Sequence, residues 1–319
     1  MTPRQSVTPP AKSSHFNGLA MNRHAPAMSP PRAGRVHLSL GRGNAAAFTL
    51  IELSIVLVIL GLLVGGILTG RALMRAAEIQ SVITQYQNFG TAVDIFREKY
   101  DAMPGDMADA TSLWGAADGG DGIGADCHGV ASVGKETCNG NGDGYVGTDY
   151  DFSVVGTFIN QNGELFRFWQ HLANAGLIEG KFTGRTDSTS NPWILSPGKN
   201  TPPTKIGVGS WTGARIAPTN PYVYNQALMG THTDFFPAII DQMLFAMWAD
   251  SNSYVLTTEE IYGIDDKIDD GKPGYGKINA TKKTGSISPN CTTSDSAATA
   301  EYDTSNKTSR CFFYMSKKI

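Results

Sequence analysis

The chain is 319 residues long, with 41% apolar and 17% charged residues and a formal net charge of −3. That near-neutral balance joins two unlike parts: residues 1–47 hold six basic side chains (Arg4, Lys12, Arg23, Arg32, Arg35, Arg42) and no Asp or Glu, leaving 20 basic against 29 acidic groups in residues 48–319. An acidic body gives no electrostatic reason to bind nucleic acid, and the sequence holds no P-loop, dinucleotide fingerprint, zincin helix or nucleophile elbow that would argue for an enzyme.

Residues 1–47 are rich in Pro, Ser, Ala and Arg, lack the apolar core of an ordinary secretory signal, and read as a disordered basic leader. Met21 and Met28 offer alternative starts, the second still followed by Arg32, Arg35 and Arg42. The next stretch, Phe48–Gly70, FTLIELSIVLVILGLLVGGILTG, is 23 residues with a single charge, Glu52. About 20 apolar helical residues cross a bilayer core, and a basic flank places the leader on the cytoplasmic side. A charge inside such a segment is costly, so Glu52 reads as a functional residue.

Ala47 followed by FTLIELSIVLVILG resembles the processing junction of type IV prepilins and type II secretion pseudopilins. The resemblance implies that a prepilin peptidase cuts between Ala47 and Phe48, that Phe48 becomes N-methylated, and that Glu52, as fifth mature residue, acts in assembly. Ala47 departs from the glycine usual before the cut, while keeping a small side chain. Elementary electrostatics points the same way: an amine on Phe48 lies one helical turn from Glu52, and the carboxylate of one subunit could neutralise the amine of its neighbour. The implied fold is α+β, a long N-terminal helix, membrane-spanning in its first half, packed on an antiparallel β-sheet head with loop-rich insertions. The implied partners are prepilin peptidase, other pilin or pseudopilin subunits, and an inner-membrane assembly platform with its ATPase. The implied location is the bacterial inner membrane, single-pass with a periplasmic head, and then a pilus or pseudopilus filament. The competing expectation is a membrane-anchored binding module that does not polymerise.

Beyond Gly70, Leu73, Ala76, Ile79, Ile83, Tyr86, Phe89 or Gly90, Val93, Phe96 and Tyr100 recur every three or four residues, and no proline occurs before Pro104. This spacing predicts an amphipathic continuation of the helix over residues 71–103. Gly61, Gly65, Gly66 and Gly70 are its expected bend points. The chain therefore divides into a leader (1–47), an assembly helix (48–70), a stalk (71–103) and a head (104–319).

The head opens on YDAMPGD, which, with the later IDDKIDDGKPGYG, loosely resembles segments of larger pilin-like proteins. In CNGNGDGYVGTDYD, Asn139, Asn141 and Asp143 alternate ahead of Gly144, the spacing of the first half of an EF-hand calcium loop. Position twelve is Tyr150, so a calcium site here would take Asn139, Asn141, Asp143, Tyr145, Asp149 and Asp151; the alternative is a glycine loop in which Asn and Asp only favour turns. Cys127 and Cys138 flank ten residues and read as a disulfide, since with His128 they make an incomplete zinc set. Short helices are predicted at Gly163–Leu177, with His171 a surface or satisfied residue, and at Asp234–Ala249 and Thr258–Ile268. Short strands are predicted at Trp193–Leu195, Ile206–Val208, Tyr222–Tyr224 and from Cys311 onward. Asp265, Asp266, Asp269 and Asp270 read as a solvated helix end, with calcium binding or catalysis as the alternatives. Cys291 and Cys311 enclose a Ser/Thr-rich loop that resembles the C-terminal disulfide loop of many type IV pilins; closing such a loop stabilises by about 3 kcal/mol.

Overall fold

The computed structural model describes residues 48–117, 134–147, 163–185, 194–207, 209–215, 242–248, 255–280, 291–294, 296–305, 307, 311 and 313–319. The chain divides into two units, Met1–Ile59 and Leu60–Ile319. Helix α1 (Leu50–Tyr100) begins in the first and has most of its length in the second. It passes through Gly61, Gly65, Gly66 and Gly70 as one continuous helix, so none of these glycines interrupts it. Glycine costs a helix about 1 kcal/mol relative to alanine but keeps its backbone N–H and C=O, and the ladder of hydrogen bonds continues through it. The helix stops at Tyr100, where Asp101 takes a positive φ of 50° ahead of Pro104.

The described part of the head adds α2 (Ala110–Trp114), α3 (Gly163–Asn174), β1 (Ser210–Arg215), β2 (Met243–Trp248), α4 (Thr258–Ile268), β3 (Ile278–Ala280) and β4 (Phe313–Lys317). The strands form one antiparallel sheet in the order β1-β2-β4-β3. The layout is α+β and pilin-like, a long helix with an antiparallel sheet head.

Strand β2 corrects the helix predicted at Asp234–Ala249 over Met243–Trp248; Asp234–Asp241 and Ala249 lie outside the described residues. Met243–Trp248 pairs with β1 on one side and β4 on the other, with Phe245 opposite Gly213 and Met315. Met, Leu and Ala are good helix formers taken singly, but Met243, Leu244, Phe245, Ala246 and Met247 are all buried. A central strand covered on both faces reads in sequence as an unbroken apolar run, which periodicity cannot tell from a buried helix. The strand expected in the 191–217 stretch falls at Ser210–Arg215 instead of at the two predicted runs, while Trp193, Val208 and Tyr222–Tyr224 lie outside the described residues.

The second half of α1 supplies the spine of the core. Ile83, Tyr86, Phe89, Val93 and Phe96 are buried, as their spacing predicts; Val82 is buried beside them, while Leu73 at the start of the predicted stripe is exposed. Phe89 makes edge contacts with Trp169 and Trp211 at ring-centroid distances of 4.9 and 5.5 Å and stacks on Phe245 at 6.2 Å. Polar ties fix the register of helix on sheet: the Tyr86 hydroxyl donates to the Ser316 carbonyl (2.7 Å), and Lys317 pairs with Asp94 (2.8 Å). Gln85 accepts from the Lys205 amide (3.0 Å) and the Trp211 indole (3.2 Å) through one oxygen.

Helices α3 and α4 form where predicted. Helix α3 is followed by Gly176 at φ 73°, and α4 starts at a reciprocal cap in which the Thr257 side chain accepts from the Glu260 amide and Glu260 accepts from the Thr257 amide. The same Glu260 carboxylate receives Arg75 of α1. Burial raises the pKa of Glu260, but the Arg75 hydrogen bond and the Thr257 amide outweigh it, and the net result lies below the ordinary 4.5. A depressed folded-state pKa contributes stability that is present above the unfolded value and lost as pH falls through the folded one. We expect Glu260→Ala to cost about 1–2 kcal/mol near neutral pH, with the gap to the parent chain closing below about pH 4.5; thermal melts across pH measure this.

Candidate functional site

The first unit's described residues are the start of α1. Thr49 is its cap: the Glu52 carboxylate accepts from the Thr49 amide and hydroxyl, both at 2.9 Å, while the Thr49 oxygen accepts from the Glu52 amide at 3.2 Å. This is a capping box, so the carboxylate is held against the residue that follows Phe48. Apolar side chains are exposed all round this stretch, among them Phe48 (84%), Leu50 (87%) and Leu53 (54%), and Glu52 is exposed among them. A helix apolar on every side needs lipid or other helices around it. Among the described residues, α1 is the one helix long and apolar enough to cross a membrane, and none of its most apolar window is buried.

Residues 42–68 match the family described as the prokaryotic N-terminal methylation motif. The chain bears the prepilin-type motif of type IV pilins and pseudopilins. No curated protein and no solved structure matches the chain. The motif spans Ala47, Phe48 and Glu52 and coincides with the uncovered apolar part of α1, a combination that fits a membrane-anchored, pilin-like protein. Ala47 itself lies outside the described residues.

Elsewhere in this pilin-like chain, the structure gives the sequence-predicted residues varied surroundings. Cys291 and Cys311 are joined in a disulfide. Cys138 is also disulfide-bonded; Cys127, its expected partner, lies outside the described residues. In the glycine-rich loop, Asn139 accepts from the Thr111 amide (2.8 Å), Asn141 from the Asp143 amide (2.9 Å) and Asp143 from the Tyr145 amide (2.8 Å). With Gly142 and Gly144 at φ 75° and 85°, the backbone turns its own N–H groups onto Asp106, which accepts from Gly142 (2.7 Å), Asp143 (3.1 Å) and Gly144 (2.8 Å). Such a concave row of amides is an anion nest. Burial and the charge of Asp143 push the Asp106 carboxyl up to about 6, against the pull of these amides. Asp149 and Asp151, the other two acidic residues expected of a calcium site in this loop, lie outside the described residues.

His171 is a satisfied core histidine. It is fully buried, its Nδ1 accepts from the Gly105 amide (2.9 Å), and its Nε2 faces the Thr137 hydroxyl (3.0 Å). An accepting Nδ1 assigns the proton to Nε2 in the neutral ring. Burial, helped by Arg167, lowers its pKa to about 3. The ring is therefore expected to stay neutral from pH 5 to 8, which its NMR chemical shifts would register as flat across that range.

Sequence reasoning missed three positions: Thr49 as the cap on Glu52, Asp106 as the occupant of the glycine-rich loop, and Arg75 as the partner of Glu260. The first had a local signal, Thr-x-x-Glu ahead of an apolar run. The other two pair residues 36–38 and 185 positions apart, and no local pattern announces them.

Proposed function

We propose that this chain is a structural subunit of a type IV pilus or a type II secretion pseudopilus, processed by prepilin peptidase between Ala47 and Phe48 and assembled through its N-terminal helix. The observation that carries the reading is the methylation motif lying on an apolar, uncovered helix with one carboxylate near its start. Cleavage leaves 272 residues, 319 less 47, a large size for a repeating major subunit, which favours a minor or specialised one. The subunit is held in the inner membrane with its head in the periplasm before extraction into the filament. Energy for extraction comes from the assembly platform and its ATPase, since the chain has no nucleotide-binding motif of its own. Its role is structural, without catalysis.

Intact mass and N-terminal sequencing of the membrane-extracted protein test this directly. The expected product begins at Phe48 and carries one added methyl group. A mature chain starting elsewhere, or an unmethylated one, would remove the pilin reading, and a processed chain that never enters a filament would favour an anchored binding module.

A further inference from the structure

Helix α4 ends in the run Ile-Asp-Asp-Lys-Ile-Asp-Asp-Gly, which brings several carboxylates to its C-terminal turn. That is the wrong end of a helix for negative charge, because the last carbonyls already carry a partial negative charge and favour cations. Oxygens of Asp265, Asp269 and Asp270 nevertheless all lie within 4.8 Å of one another. Separations of that size suit a shared coordination sphere, since two oxygens on opposite sides of a calcium ion are about 4.6–5.2 Å apart.

Asp265 supplies the second observation. It is fully buried, in contrast to the solvated helix end expected from the sequence. Its Oδ2 accepts from the Tyr302 hydroxyl (2.7 Å), but its Oδ1 is buried with no hydrogen-bond donor. The Gly271 backbone N–H also reaches this carboxyl and favours its charged form, against the burial that disfavours it. A buried carboxylate oxygen left without a partner is destabilising, and a bound cation removes the deficit. The other two carboxylates are held by backbone: Asp269 Oδ2 accepts from the amides of Lys277 and Ile278, and Asp270 Oδ1 from that of Lys272 (2.9 Å).

We propose that Asp265, Asp269 and Asp270 form a binding site for a calcium ion at the junction of α4 and β3. An all-carboxylate set of hard oxygens suits calcium and not a soft or imidazole-seeking metal. Tyr302 lies within the loop closed by Cys291–Cys311, so an ion on Asp265 also braces the residue that ties this loop to α4. The site makes no use of the methylation motif and is independent of filament assembly.

The test uses the full chain in detergent, stripped with a chelator and then titrated with terbium. Tyr262 and Tyr302, with rings 5.6 Å apart, are the sensitisers available beside the site. Saturable emission displaced by calcium is expected, together with a calcium-dependent rise in melting temperature. Asp270→Asn, at an exposed position, should weaken calcium binding at least tenfold, and Asp265→Asn, which keeps an acceptor for Tyr302, should abolish the thermal response. Asp143→Asn in the glycine-rich loop should leave both signals intact. Absence of any calcium response in the parent chain overturns the proposal, and so does a response that survives Asp265→Asn and Asp270→Asn.

Discussion

Replacing Glu52 by alanine is expected to leave the chain cleaved and membrane-held while its recovery in sheared filaments or cross-linked pseudopilus complexes falls on the order of a hundredfold. A charge carried into an apolar helix bundle persists only beside an opposite charge, and the amine created at Phe48 is the one that processing would supply. The structure adds a competing role, because Glu52 also closes the capping box with Thr49. Glutamine separates the two. Its side-chain oxygen keeps the cap but carries no charge, so Glu52→Gln should fail in assembly as alanine does. Assembly at the parent level by the glutamine variant would reduce Glu52 to a helix cap and withdraw the intersubunit pair. Thr49→Ala is the complement, removing the cap hydroxyl and leaving the charge, and it should assemble.

A second large effect is expected in the head, at Gly105. This residue sits at φ 91°, and a Cβ there would lie 2.6 Å from the Glu164 carbonyl and 2.9 Å from the Phe168 amide. Both are backbone atoms of α3, which cannot swing aside as a side chain would. Its amide is also the donor that satisfies buried His171. Strain at a positive φ adds to overpacking, each about 1–3 kcal/mol, so Gly105→Ala should cost about 3–5 kcal/mol and lower the melting temperature of the head by roughly 10 °C. Two other glycines calibrate the result. Gly176, at φ 73° with nothing within 4 Å of a new Cβ, should lose only the strain, about 1 kcal/mol. Gly263, inside α4 with nothing within 4 Å, should gain about 0.5–1 kcal/mol as alanine. Equal losses at all three positions would refute the close-packing account of Gly105.

Much of the fold was legible where one helix face or one cap carries the information. The three- and four-residue spacing of Ile83, Tyr86, Phe89, Val93 and Phe96 marks the buried stripe of α1 because a helix repeats its face locally. Helix α4 forms where the sequence places it, at Thr258–Ile268, and its Thr257–Glu260 cap is equally local. Met243–Trp248 misleads because its state is set by two partner strands whose residues lie from about 30 to more than 70 positions away. Asp265 looks like its neighbours Asp266 and Asp269 in sequence; its burial is decided by the packing of α4 and its contact with Tyr302, 37 residues later.

By itself the sequence determined the prepilin-type motif: an apolar run, one carboxylate and a small residue before Phe48 depend only on neighbours along the chain, and the methylation-motif match covers that same stretch. Tertiary structure alone decided what surrounds each polar group. It gave Glu260 its partner in Arg75, gave the glycine-rich loop Asp106 to enclose, buried His171 as a neutral core residue, and drew three carboxylates together at the end of α4. The physical reason is range. Hydrophobic length and helical period are properties of a segment, whereas desolvation and charge pairing depend on whatever the rest of the chain folds against it.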